Sequence, residues 1–193
     1  GGTPFGGFKQ SGNGREGGLV VTNNAKIYNK IKILRYAGTT SDPKKLITNN
    51  CIEISLNHKM DSINASLLLV SLRYFNKKMK ILKSISNRYR NGLSKKVRLQ
   101  EYRKNEIPGR YAFPIIVKKR NLLKKYLYEK NIETKIWNDP LVSDAPVYKK
   151  LKSGNMLKAK EILNNSLNIP FHEKLTNKQV DYVIYNINKF LKK

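Results

Sequence analysis

The chain has 193 residues and a formal net charge of +26, a length that suits one domain with an appendage and can bury a real core. Its mean hydropathy is −0.56 and no apolar run approaches the ~18 residues of a membrane span, which predicts a soluble protein. Cys51 is the only cysteine, so the chain has neither an internal disulfide nor a cysteine metal cluster, which fits the cytoplasm. The lysines are spread along the whole chain rather than gathered with aromatic residues in one groove, which argues against a nucleic-acid partner.

The first half of the chain predicts a short strand, a helix, a loop and a long helix. Residues 19–22 are apolar and β-branched, which is typical of a short buried strand. Asn24 is a suitable N-cap for the helix that follows it, and residues 39–50 are polar and contain a proline, which favours a loop. Residues 60–93 carry the longest helical pattern in the chain.

The second half alternates predicted strands and helices. The predicted elements are a strand at 111–117, a helix at 120–130, a strand at 132–137, short helices at 143–151 and 156–164, a strand at 167–169, and a final helix that begins with a capping box at 176–179. Pro114 favours an edge or a bulge over a central position in its strand. The order predicts an α/β fold in which a long helix precedes a small three-stranded sheet.

A lysine lies in a glycine-rich segment near the start of the chain. Lys9 is followed by Gln-Ser-Gly-Asn-Gly-Arg-Glu-Gly-Gly and then by an apolar, β-branched run. An amine that attacks an aldehyde must be primary and able to become neutral, and small neighbouring residues let the backbone pass close to a phosphorylated ligand. From this segment alone, a solvated lysine in an ordinary loop remains the alternative.

Further segments agree in order and spacing with one enzyme family. They are Gly-Gly-Leu-Val-Val-Thr-Asn at 17–23, Arg-Tyr-Ala-Gly at 35–38, Leu-Asn-His-Lys-Met-Asp-Ser-Ile-Asn-Ala at 56–65, Asn-Ile-Glu-Thr at 131–134 and Ser-Leu-Asn-Ile-Pro-Phe-His at 166–172. With Lys9, they resemble the C-terminal half of the DegT/StrS-type nucleotide-sugar aminotransferases, which are fold-type I enzymes that use pyridoxal 5′-phosphate (PLP). Lys59 and Asn64 stand where that family usually has Arg and Gln.

The resemblance implies the C-terminal part of a fold-type I aminotransferase. Residues 1–60 would be a remnant of the large cofactor-binding domain, residues 61–98 the long connecting helix, and residues 99–193 the small α/β domain. The chain begins with Gly-Gly rather than Met, and the groups that hold the pyridine ring in this family lie upstream of the lysine. We therefore expect a C-terminal fragment that binds PLP weakly and is inactive by itself.

The resemblance also implies an activity and the residues that carry it. The intact enzyme would be a homodimer that moves an amino group, from glutamate, onto a keto-sugar nucleotide for cell-surface polysaccharide or secondary-metabolite synthesis. Lys9 would form the Schiff base with PLP and carry the proton. Asn57 would bind the cofactor phosphate of the partner subunit, and Trp137, Asn138 and Asp139 would contact the sugar nucleotide. In the structural alternatives, Asn57 only precedes a helix and Trp137 belongs to the core.

Two other functional interpretations remain open. The chain could be a noncatalytic remnant or interaction module that keeps the small domain. Residues 4–16 also resemble a signature near the C-terminus of aldehyde dehydrogenases, so an aldehyde dehydrogenase fragment is the third candidate. His58 and His172 are the only histidines, and they lie far apart in the sequence without a carboxylate cluster, so the sequence predicts no metal site.

Overall fold

The computed structural model describes residues 20–42, 44, 47–137, 140–148 and 154–192. It divides the chain into two compact units, Gly1–Tyr74 and Phe75–Lys193. None of the helices that the structure describes is long and apolar enough to cross a membrane.

The first unit contains the predicted helix α1, Ala25–Arg35. Asn24 caps it, since its side-chain oxygen accepts hydrogen bonds from the backbone N–H groups of Lys26 and Ile27 at 2.9 and 3.2 Å. The strand predicted at 19–22 is wrong over its described part, residues 20–22, which are exposed and form no strand. β-branched residues alone do not make a strand, because the backbone also needs a partner to pair with.

A β-hairpin follows α1, where the sequence predicted a loop. Strands β1, Thr39–Asp42, and β2, Ile47–Cys51, pair antiparallel with Thr39 opposite Cys51. The predicted loop at 39–50 is therefore wrong. Threonine suits a strand despite its polarity, and the proline that favoured a loop lies between the two strands in the sequence.

A close backbone crossing joins α1 to the segment after the hairpin. Gly38 has a φ of 72°, and a Cβ built on it would lie 1.8 Å from the carbonyl oxygen of Glu53. The backbone N–H groups of Ile52 and Glu53 both donate to the Gly38 carbonyl, at 2.9 and 3.1 Å. Only glycine fits this turn, because any larger residue would collide with the backbone of the crossing segment.

The predicted long helix is confirmed as α2, Ser62–Gly92. Its buried side chains, Leu82, Ile85, Ser86 and Tyr89, all lie in the C-terminal part of the helix. Of these, Ile85 and Tyr89 belong to the hydrophobic core of the second unit.

The second unit has the predicted number of strands, but one of them is not the predicted one. Strands β3, Arg98–Leu99, β4, Phe113–Ile116, and β5, Ser166–Ile169, form an antiparallel sheet in the order β3-β4-β5. The strand predicted at 132–137 is wrong, because this segment makes only an isolated bridge in which Lys135 and Asn168 exchange two backbone hydrogen bonds. The third strand is β3 instead, which pairs with β4 at the opposite edge of the sheet from this bridge.

Pro114 lies in the central strand, which contradicts the predicted edge or bulge position. The register places Pro114 opposite Asn168, whose backbone N–H and C=O both bond to Lys135 on the other side. The pair of Pro114 and Asn168 is therefore a non-hydrogen-bonded pair, and the backbone nitrogen of Pro114 faces away from β5. On that side β3 has already ended at Leu99, so no ladder hydrogen bond is lost.

Three helices complete the second unit and confirm those predicted at 120–130, at 156–164 and after the capping box. They are α3, Arg120–Glu129, α4, Leu157–Asn165, and α5, Asn177–Lys192, with two short 3₁₀ helices, Val142–Asp144 and Pro146–Tyr148, before α4. The short helix predicted at 143–151 is wrong over its described part, which forms the two 3₁₀ helices. The capping box is confirmed, because Thr176 and Gln179 exchange backbone–side-chain hydrogen bonds at 2.9 and 3.3 Å. The core combines one face of the sheet with the apolar faces of α2, α3 and α5.

Candidate functional site

The structure describes two of the five predicted site residues. Lys9, Asn138 and Asp139 lie outside the described residues. Asn57 lies in the first unit and Trp137 in the second, so the surroundings of each are considered separately.

Asn57 is held by its backbone beside the end of α1. It forms an isolated antiparallel bridge with Tyr36, and the next residue, His58, donates its backbone N–H to the Arg35 carbonyl at 3.1 Å. The side-chain oxygen of Asn57 accepts the backbone N–H of Lys59 at 3.2 Å. The exposed side chain thereby presents its amide N–H₂ group outward as a donor.

The surroundings of Asn57 are basic. Lys32 and Arg35 lie in the last turn of α1, and the Lys59 ammonium lies 4.0 Å from the centre of the Tyr36 ring. An outward amide donor among cationic side chains suits a phosphate, which accepts hydrogen bonds and carries negative charge. These residues could hold a phosphate, and the role of Asn57 toward the phosphate of PLP stays a prediction.

Two of the residues just before Asn57 are apolar and exposed. Ile54 has a relative exposure of 101% and Leu56 of 73%. Two exposed apolar side chains this close together suit a surface that another protein surface covers.

Trp137 is half-buried and packs against an aromatic neighbour. Its ring centre lies 5.2 Å from that of Tyr111, with the two planes tilted by 45°, and the Lys135 ammonium lies 5.9 Å from the indole. The indole Nε1 is buried, and no acceptor among the described residues bonds to it. A tryptophan usually finds an acceptor when its N–H is buried, and none of the described residues supplies one here.

Trp137 lines a cleft of about 780 Å³ that the sequence did not indicate. The cleft lies beside β4, and α4 and residues 100–112 also contribute to its walls. Arg110 lines it too, with a φ of 47°, and the Nε of its guanidinium is buried without an acceptor among the described residues. Its Nη1 donates to the Pro108 carbonyl at 3.2 Å. In the sequence, Arg110 is marked only by the Pro-Gly step before it, which is typical of a turn.

A second, smaller cleft of about 400 Å³ is lined by the same aromatic pair. Tyr111 and Trp137 line both clefts, and His172 lines the smaller one. The Nδ1 of His172 accepts the backbone N–H of Lys174 at 3.3 Å, which is a local structural contact. Within the described ranges, no group of three or more His, Cys, Asp or Glu side chains could hold a metal ion.

The fold of the chain is that of the sugar aminotransferases. The structure superposes on a crystal structure of a DegT/DnrJ/EryC1/StrS aminotransferase from Brucella abortus with a TM-score of 0.80. The two are 22% identical, and the match covers 89% of this chain and 45% of that one. The predicted fold class, the C-terminal part of a fold-type I aminotransferase with a small α/β domain, is thereby confirmed.

A family model of the DegT/DnrJ/EryC1/StrS aminotransferase family matches residues 7–188. The chain belongs to this family, as the resemblance predicted.

Two curated relatives illustrate what members of the family act on. The chain is 25% identical over 190 residues to UDP-4-amino-4,6-dideoxy-N-acetyl-beta-L-altrosamine transaminase of Campylobacter jejuni, which covers 92% of this chain and 49% of the relative. It is 25% identical over 178 residues to GDP-perosamine synthase of Escherichia coli O157:H7, at 91% and 47% coverage. The chain thus spans about half the length of the curated relatives it matches.

Proposed function

We propose that the protein is a PLP-dependent transaminase that moves an amino group, from glutamate, onto a keto-sugar nucleotide for cell-surface polysaccharide or secondary-metabolite synthesis. The observation that carries the proposal is the family match over residues 7–188, which includes Lys9 in its glycine-rich segment. The homologues that act on nucleotide sugars support the substrate class.

Lys9 is the residue on which the chemistry would depend. PLP, when bound, supplies an electron sink for the carbanion that forms at the amino donor. The Lys9 amine would hold the cofactor and, once released, take the proton from the donor Cα. A lysine can do both, because its amine becomes neutral when it is desolvated.

Asn57 would hold the cofactor phosphate across a homodimer. Its outward amide and the cationic side chains of Lys59 and Arg35 support phosphate binding. The exposed apolar residues that precede it, Ile54 and Leu56, support burial of this segment by a partner subunit. The phosphate contact and the subunit interface would then form together.

The small domain would supply the substrate side of the site. We assign residues 1–60 to the large domain, 61–98 to the connecting helix and 99–193 to the small domain. Trp137, with Asn138 and Asp139 after it, would contact the sugar nucleotide. The buried indole N–H that faces no protein acceptor in the described chain supports this role for Trp137.

An isotope-transfer assay tests the proposal. Protein from the complete reading frame, with PLP, ¹⁵N-glutamate and a panel of keto-sugar nucleotides, should yield a ¹⁵N-amino-sugar nucleotide by mass spectrometry. Lys9→Arg should abolish transfer, because arginine supplies no neutral amine, whereas Lys26→Arg should retain it. Transfer that survives in Lys9→Arg, or no transfer to any member of the panel, contradicts the proposal.

The 193-residue chain alone should transfer nothing. In this family the groups that hold the pyridine ring lie upstream of the lysine, so we expect the isolated chain to bind PLP weakly. Turnover by the isolated chain at the rate of the complete protein would contradict this part of the proposal.

A further inference from the structure

We propose that the cleft beside β4 binds the diphosphate of the nucleotide, with the Arg110 guanidinium and the Trp137 indole N–H as its donors. The inference rests on the proposed function for its substrate class. The assignment of Arg110 and of the diphosphate comes from the geometry of the cleft.

Two residues that line this cleft each have a buried donor without an acceptor among the described residues. The Arg110 Nε and the Trp137 Nε1 are both inaccessible to solvent, and neither bonds to an acceptor in the described part of the chain. Both residues line the cleft of about 780 Å³. Buried donors are nearly always satisfied in folded proteins, so two such N–H groups around one cleft indicate a ligand that brings acceptor oxygens.

Both side chains are partly held in place before any ligand arrives. Arg110 follows Gly109, adopts a left-handed backbone conformation with φ 47°, and is tied through its Nη1 to the Pro108 carbonyl. The Trp137 indole is packed against the Tyr111 ring. Ligand binding therefore costs little ordering of these two side chains, which favours affinity.

Arg110 is the one cationic side chain among the described residues that line the cleft. Glu106 is the one acidic side chain among the described residues that line it. That carboxylate is already engaged by Arg103, whose backbone N–H donates to it at 3.0 Å and whose Nε lies 3.8 Å away. The guanidinium of Arg110 thus remains to pair with a ligand, and guanidinium matches the geometry of phosphate oxygens.

The walls and the size of the cleft suit a nucleoside diphosphate. Tyr102 and Tyr111 add aromatic surface beside the charged group, on which a base or sugar can stack. A volume of about 780 Å³ lies within the usual range of small-molecule sites. The two relatives carry UDP and GDP in their names, and the diphosphate is the part that these nucleotides share.

Trp137 is the only tryptophan of the chain and therefore reports on its own cleft. UDP added to the 193-residue chain should change the tryptophan fluorescence in a saturable way. Uridine at the same concentrations should not, because it lacks the diphosphate. No saturable change with UDP or GDP, or equal binding of uridine, overturns the inference.

Variants of Arg110 distinguish a specific role of its guanidinium from a general effect of positive charge. Arg110→Ala should weaken UDP binding by roughly 10–100-fold, as expected for the loss of a charged hydrogen-bonding group. Arg110→Lys keeps the charge without the bidentate geometry and should give an intermediate loss. Arg98→Ala is the matched control, because this side chain is exposed and does not line the cleft, so the affinity should stay unchanged. An equal loss in Arg98→Ala, or none in Arg110→Ala and Arg110→Lys, overturns the assignment.

Trp137→Phe keeps an aromatic ring but removes the N–H donor. Its affinity for UDP, measured by calorimetry, should fall by about 2–10-fold. Unchanged affinity overturns the role of the indole N–H. These binding measurements need neither PLP nor an amino donor, so they can fail while ¹⁵N transfer succeeds, and the two proposals are tested separately.

Discussion

Tyr89 of α2 makes a hydrogen bond to Pro170, which lines the smaller cleft. Removing the hydroxyl group of Tyr89 tests the packing of the second unit. Its side chain is fully buried, and its hydroxyl donates to the Pro170 carbonyl at 2.9 Å. Its ring centre lies 5.0 Å from that of Phe113, which in turn packs 5.6 Å from Phe171. Tyr89→Phe keeps these ring contacts and removes only the hydrogen bond.

Tyr89→Phe should lower the free energy of unfolding by about 1–3 kcal/mol, because the Pro170 carbonyl loses its donor in a buried site. The measurement is urea denaturation near pH 7, followed by far-ultraviolet circular dichroism. Tyr128→Phe is the matched control, since the same hydroxyl is removed from a side chain that is 78% exposed, and it should change stability by less than ~0.5 kcal/mol.

The pH dependence of the same pair gives a second test. Burial raises the pKa of Tyr89 above its ordinary value of 10.0, so above about pH 10 the unfolded chain loses this proton while the folded chain keeps it. The unfolded state then binds fewer protons, and the contribution of Tyr89 to stability falls by up to ~1.4 kcal/mol per pH unit. The stability advantage of the wild type over Tyr89→Phe should therefore be constant below about pH 9 and shrink above about pH 10.

Two results would refute this reasoning. One is a Tyr89→Phe variant as stable as the wild type near pH 7, which would mean that the hydroxyl contributes nothing. The other is an advantage that stays constant from about pH 8 to about pH 11, which would mean that Tyr89 ionises equally in the folded and unfolded chains.

Three further substitutions test local features of the fold. Asn188→Ala removes a side chain of α5 that makes two hydrogen bonds of 2.8 Å to backbone groups at the end of α2, and urea denaturation should show a loss of about 2 kcal/mol. Gly38→Ala should speed amide exchange of the two N–H groups bonded to its carbonyl by about 30-fold or more, because a Cβ would meet the Glu53 oxygen. Gly154→Ala is the control and should leave this exchange unchanged, because a Cβ there meets nothing within 4 Å. Thr176→Ala removes the N-cap of α5 and should cost about 1 kcal/mol in the same denaturation assay, with no loss contradicting the cap.

The helices could be predicted from the sequence because their signals are local. Asn24 and Thr176 cap α1 and α5 with side-chain hydrogen bonds that involve residues two or three positions further on. The long apolar repeat of α2 likewise needs no knowledge of its partners.

The strands were harder to predict because a strand depends on its partner. The hairpin at Thr39–Cys51 is polar, so its alternation carries no burial signal. Residues 132–137 have strand composition, yet only Lys135 pairs, while the two-residue strand β3 takes the third place in the sheet. Pro114 is accepted in the central strand because of the register of its neighbours, which the local sequence does not contain.

The residues of the candidate site likewise differ in whether the sequence indicates them. Trp137 could be chosen from its place after a predicted strand and from the family resemblance. Arg110 could not, because its importance comes from a buried Nε without an acceptor among the described residues and from a shared cleft. Both properties depend on residues distant in sequence.

The most direct test of the account is covalent trapping of PLP at Lys9. Protein from the complete reading frame, incubated with PLP, should show a near-ultraviolet or visible absorption band of lysine-bound cofactor, and borohydride should fix the cofactor on the peptide that contains Lys9. Lys9→Arg should lose both the band and the labelled peptide, because the pKa of arginine, above about 12, leaves no neutral amine, while Lys26→Arg should keep both. Labelling of another lysine in the wild type, or an unchanged band in Lys9→Arg, would contradict the assignment of Lys9 as the cofactor lysine.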